Sequence, residues 1–85
     1  MLDCDRFWYA HSREHLEQIA AHMGCVIGSA DEGKDDEDAP LYKRQPTPIK
    51  YKVVPDMLHP HFHVALEGVR SGSRITITRI EVVFV

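Results

Sequence analysis

From Ile49 onward the chain alternates. Ile49, Tyr51 and Val53 are separated by Lys50 and Lys52, and Phe62, Val64 and Leu66 by His63 and Ala65. Successive side chains of a strand point to opposite faces, so a period of two makes each segment a strand with one buried and one wet face. A third segment starts with Ile75 and Ile77 but resumes as Ile80, Val82 and Phe84, on the opposite parity. Alternation cannot change parity without an extra residue, so a bulge or bend is expected near Thr78-Arg79. Pro55-Asp56 turns the chain after the first segment, and Gly68 to Ser73 reads as the hairpin connection between the second and third. The sheet is therefore expected to be mostly antiparallel.

The first quarter of the chain has a different period. Leu16, Ile19, Ala20 and Met23 recur at helical spacing and form one apolar stripe, which predicts a helix over 13–23. Ser12 is its N-cap, able to accept from a free amide of the first turn, and Glu14 suits the positive end of the helix dipole. Gly24 is placed to take the left-handed conformation that ends a helix. Before the helix, Arg6-Phe7-Trp8-Tyr9-Ala10 is an aromatic run with strand character, with a helix running from Asp5 through the aromatics to Met23 as the competing reading. Cys25-Val26-Ile27 after the helix reads as a short strand.

These elements predict an α+β fold, with one helix packed on a mostly antiparallel sheet of three to five strands. At 85 residues the chain has room for one small domain, 1–85, and for no second core. The expected core is Trp8, Leu16, Ile19, Met23, Tyr51, Val53, Phe62, Val64, Leu66, Ile80, Val82 and Phe84.

Charge is segregated. Asp31, Glu32, Asp35, Asp36, Glu37 and Asp38 surround a lone Lys34, a net −5 within eight residues, in a protein whose net charge is −3. Like charges packed this closely favour a solvated, extended loop, so 28–48 is expected to be an acidic, Pro-containing connection. Carboxylates in such a run present anionic oxygens to Arg and Lys much as phosphates do, which makes the block a candidate for docking on a basic surface. There are also six histidines, whose protonation by about pH 5 would move the net charge from −3 towards +3.

Three of those histidines fall in His59-Pro60-His61-Phe62-His63. In a strand His59, His61 and His63 would share a face, and Glu67 would add a carboxylate on the same side. Neutral imidazoles with a carboxylate suit zinc or another divalent ion, so these four residues form a candidate metal site, structural or hydrolytic. The string His59 to Leu66 resembles the signature of histidine-triad nucleotide hydrolases, which would make His61 a nucleophile towards phosphate. The spacing His61-x-His63-x-x-x-Glu67 is similar to the first metal motif of cupins. Neither resemblance extends to a second element of its family, and neither assigns the chain.

The face of the sheet away from the helix is expected to carry Lys50, Lys52, His61, His63, Thr76 and Thr78, with Arg70, Arg74 and Arg79 near its ends. That face would be basic. Tyr51 and Phe62 alternate to the apolar side, so the stacking platforms that single-stranded nucleic acid needs are absent from it. No Ser-His-Asp arrangement, nucleophile elbow, phosphate loop or paired Cys motif occurs.

Together these features predict a non-enzymatic binding or regulatory module without a cofactor. It would act on a protein partner with a basic surface, as an inhibitor or a nucleic-acid mimic, through the acidic residues 31–38 and through Lys50, Lys52, Arg74 and Arg79. Cys4 and Cys25 lack zinc or disulfide-framework spacing, and the N-terminus carries Asp3, Asp5 and Arg6 where a signal peptide needs an apolar run. A reduced, cytoplasmic protein is the expectation.

Overall fold

A computed structural model describes residues 3–33 and 46–85. A 3-10 helix, Cys4–Tyr9, leads into α1, Arg13–His22, and four strands follow: β1 Cys25–Asp31, β2 Thr47–Pro55, β3 Phe62–Ser71 and β4 Arg74–Phe84. The strands form one antiparallel sheet in the order β1-β2-β3-β4, with α1 against β1 and the 3-10 helix against β4. This is the expected α+β architecture.

The local chemistry of α1 is as the sequence implies. Ser12 is extended and its hydroxyl accepts from the His15 amide at 3.1 Å. Gly24 follows the helix at φ +70°, where a side chain would be strained, and its carbonyl accepts from the Asp56 amide at 2.9 Å. That bond fastens the helix exit to the link after β2.

The bulge falls where parity requires it. Glu67 of β3 faces Arg79 and the next residue, Gly68, faces Ile77, which leaves Thr78 as the extra residue of β4. Ile80 lies opposite Leu66 and Ile77 opposite Gly68, so the bulge returns both runs of β4 to one face of the sheet. The Thr78 hydroxyl donates to the Glu67 carbonyl at 3.3 Å across the irregularity. Gly68 is needed there, because a Cβ on it would sit 2.1 Å from the Thr76 carbonyl oxygen.

Several expectations are corrected. The run Arg6–Ala10 is not a strand: Arg6 donates to the Asp3 carbonyl and Ala10 to that of Phe7, so the chain coils in three-residue turns. Of the three aromatics, coiling turns only Phe7 fully inward and leaves Trp8 and Tyr9 47% and 76% exposed. Glycine at 68 does not open the hairpin, for β3 continues to Ser71 and the turn is Gly72-Ser73, with Gly72 at φ +64°. The prolines near 46–48 do not end an element either. Pro48 lies within β2, beyond Asp31↔Lys50, the last pair that β1 makes with it. β1 in turn runs to Asp31, into the stretch expected as loop.

The core is Phe7, Ala10, Leu16, Ala20, Cys25, Ile49, Tyr51, Val53, Val64, Leu66, Ile75 and Ile77. Of the expected core residues, Ile19, Met23, Phe62 and Ile80 are only partly buried, and Trp8, Val82 and Phe84 are exposed. The reason is cover. The 3-10 helix lies on β4 and the Ile75 amide donates to the His11 carbonyl at 2.9 Å, so the start of β4 is roofed. Its end is not.

Candidate functional site

Among the described residues, no element covers the sheet face away from α1. Lys50 and Lys52 of β2, His63 and Glu67 of β3, and Arg79 and Glu81 of β4 project from this face, as the register with the buried Tyr51, Val64 and Leu66 and the partly buried Ile80 dictates. Glu67 stands opposite Lys50 on one side and Arg79 on the other, and takes both cations at 3.9 Å, while Arg79 also meets Glu81 at 3.3 Å. These side chains are well exposed, so each pair contributes at most about 1 kcal/mol. Their effect is on the character of the surface. Acids interleave with the cations, so the face is mixed in charge rather than basic as expected.

Beside this charged row, Ser29, Asp31, Lys50, Lys52, His63 and Ala65 line a shallow depression of about 300 Å³. Apolar groups reach the same face, with Val26 45% exposed opposite Val54. Arg79 lies in mid-strand, Arg74 opens β4 beside the Gly72-Ser73 turn, and Thr78 is the bulge residue. Arg70 does not belong to this face. It lies at the end of β3 and donates to the carbonyls of Glu32 and Gly72, at 3.1 Å and 3.2 Å.

The acidic block is divided. Asp35, Asp36, Glu37 and Asp38 lie outside the described residues. Asp31 ends β1, and its carboxylate accepts from the Gly33 amide at 3.2 Å. Glu32 is engaged within the chain: the Tyr51 hydroxyl donates to it at 3.0 Å and Arg13 pairs with the same oxygen at 3.2 Å. Burial, together with the Glu32 carboxylate, pushes the Tyr51 phenol up to about 12. The sequence gives no sign of this cluster, because Arg13, Glu32, Tyr51 and Arg70 meet only after the sheet has formed.

The histidine string does not form one continuous strand. β3 begins at Phe62, so His59 and His61 lie exposed in the link before it, and the His61 carbonyl accepts from the Val85 amide at 2.9 Å. His63 and Glu67 share the open face but are four residues apart, roughly 13 Å along the strand. Among the described residues, no three His, Cys, Asp or Glu side chains come together as a set that could hold a metal ion. Cys25 is buried and Cys4 half-buried, and burial pushes both thiols above their ordinary value, which disfavours the reactive thiolate at neutral pH.

Comparison with protein-family models, with curated proteins and with solved structures finds no match to this chain. Among the described residues, no helix is long and apolar enough to cross a membrane.

Proposed function

We propose that this chain is a protein-binding module that acts by occupying its partner, as an inhibitor or adaptor, through the open sheet face and the acidic segment that follows β1 in sequence. The observation that carries the reading is the face itself. Among the described residues, the four-stranded sheet is covered on one side only, and its other side interleaves cations, carboxylates and apolar groups over a shallow surface. Flat surfaces of this mixed composition suit protein partners, whereas small-molecule sites are concave and mostly apolar. Asp31 lines the depression beside Lys50 and Lys52, so the acidic segment begins at the margin of that face. Its carboxylates engage the basic rim of the partner and steer the approach, standing in for phosphates where that rim otherwise holds nucleic acid.

The test is capture from extract of the source cells with the intact chain and two variants. One neutralises the segment (Asp35→Asn, Asp36→Asn, Glu37→Gln, Asp38→Asn), and the other reverses the face (Lys50→Glu, Lys52→Glu). A partner held stoichiometrically by the intact chain is lost by the face variant, and the neutralised segment slows its association at least tenfold while flattening the dependence on salt. A partner captured equally by all three chains, with one salt dependence, would overturn the proposal.

A further inference from the structure

We infer that the free edge of β4 pairs with the β4 of a second copy of this chain, around a two-fold axis at Val82. The inference goes beyond the open face, because it concerns the edge of the sheet and the apolar corner on the helix side.

The orientation of the backbone comes first. In an antiparallel strand, the N–H and C=O of one residue point to the same side, and consecutive residues alternate. The Val85 amide turns inward, to the His61 carbonyl beside β3. Ile80, Val82 and Phe84 therefore turn their amides and carbonyls outward, at an edge where β4 has no neighbouring strand among the described residues. The same three side chains lie on the helix-side face, past the reach of the 3-10 helix, where Val82 is 39% and Phe84 78% exposed. The stretch after Arg79 holds no proline, no lysine and no bulge, and Glu81 is its one charged residue, so few of the devices that protect edges are present.

Charge and cover then select the occupant and the register. A symmetric pairing centred on Glu81 sets two carboxylates directly opposite each other, which is unfavourable. A pairing centred on Ile80 runs the second strand along the bulge and up to Ile75, whose outward amide is already given to His11. Centring on Val82 avoids both. Ile80 then faces the second copy's Phe84, Val82 faces its counterpart, and every outward group from Ile80 to Phe84 is satisfied. Val85 of the second strand then lies beside Arg79, just short of the roofed part. Aromatic and β-branched side chains placed opposite one another are among the stabilising cross-strand pairs, and on the helix-side face every pair is of this kind. On the other face Glu81 falls opposite the second copy's Val83. A single exposed Phe84 leaves most of an aromatic side chain's roughly 150–250 Å² in water, and the symmetric contact covers two.

The experiment is sedimentation of the full chain over a range of concentrations, joined to cysteine cross-linking. The chain sediments as a dimer that dissociates on dilution. Val82→Lys, which sets two ammonium groups face to face on the axis, weakens dimerisation at least a hundredfold with an unchanged circular dichroism spectrum. Val82→Cys closes an intermolecular disulfide on mild oxidation, because directly opposed residues of a hydrogen-bonded pair have Cα atoms about 5.5 Å apart, within disulfide range. Glu81→Cys, which has no symmetric counterpart in this register, cross-links at least tenfold more slowly. A chain that stays monomeric at every concentration overturns the inference. So do dimers that survive Val82→Lys, and cross-linking that is equal at positions 81 and 82.

Discussion

Ile75 and Ile77, before the bulge in β4, are 2% and 4% exposed, whereas Val82 and Phe84, after it and on the same face, are 39% and 78% exposed. Residue type does not separate the two halves, and neither does register. What differs is what lies above them. The ten residues of α1 span about 15 Å, whereas the eleven of β4 run to roughly 35 Å, so one short helix cannot roof the whole strand. The 3-10 helix extends the cover over one half only. Periodicity assigns a residue to a face, and only a second layer makes that face a core.

The largest effect expected from this contrast is on stability. Ile77→Ala removes a side chain from a packed interior and should cost about 2–5 kcal/mol. Val82→Ala, on the uncovered half, should change the stability of the monomer by less than about 1 kcal/mol. Urea unfolding, at concentrations low enough to keep the chains apart, measures both. Equal losses would mean that the second half of β4 is covered in solution by something already present in the monomer.

Gly68 joins the two halves, and Gly68→Ala tests whether the bulge needs a glycine. Its Cβ would meet backbone, the Thr76 carbonyl oxygen at 2.1 Å, so β3 and β4 must separate locally at a cost of roughly 2–3 kcal/mol. Gly72→Ala is the control. It meets no atom within 4 Å and pays only for its positive φ, about 1 kcal/mol. If the two variants unfold at the same urea concentration, the close approach at Gly68 does not constrain the bulge.

How much of this was legible follows from which signals are local. Ser12 and Gly24 mark the helix because caps are satisfied by neighbouring amides and carbonyls, and the parity change from Ile77 to Ile80 marks the bulge because side-chain direction is a property of one strand. The core was legible on β2 and β3, where Tyr51, Val53, Val64 and Leu66 are buried as their alternation implies. It was misread on β4 and in the aromatic run. Which of Phe7, Trp8 and Tyr9 turns inward depends on the coil of Cys4–Tyr9 against a strand more than sixty residues away. The charged face was half legible: the alternation placed Lys50 and Lys52 correctly, but Glu67 is set between two cations by registers that no single segment encodes. For the same reason Glu32 read as one acid among six, although the fold ties it to Arg13 and Tyr51.

That tie closes the sheet at the end away from Phe84, and its effect is the smallest of those expected. Glu32→Gln replaces a charge-assisted contact to Tyr51 and Arg13 with a neutral one, and should cost about 1 kcal/mol at neutral pH. The alkaline limb reports the same contact. Tyr51 is pushed up to about 12, chiefly by burial and then by Glu32, against an ordinary value near 10. The unfolded chain therefore loses this proton first. The contribution of Tyr51 to stability is complete below pH 10 and drains away as the pH climbs towards 12. Glu32→Gln lowers the Tyr51 value without returning it to normal, since burial remains, and so moves the end of that window to lower pH. Tyr51→Phe removes the window altogether. Tyrosinate absorbance follows the ionisation, and urea unfolding from pH 9 to pH 12 follows the stability. A wild-type chain that loses stability in parallel with Tyr51→Phe over that range would show that the phenol is not held by the closed end of the sheet.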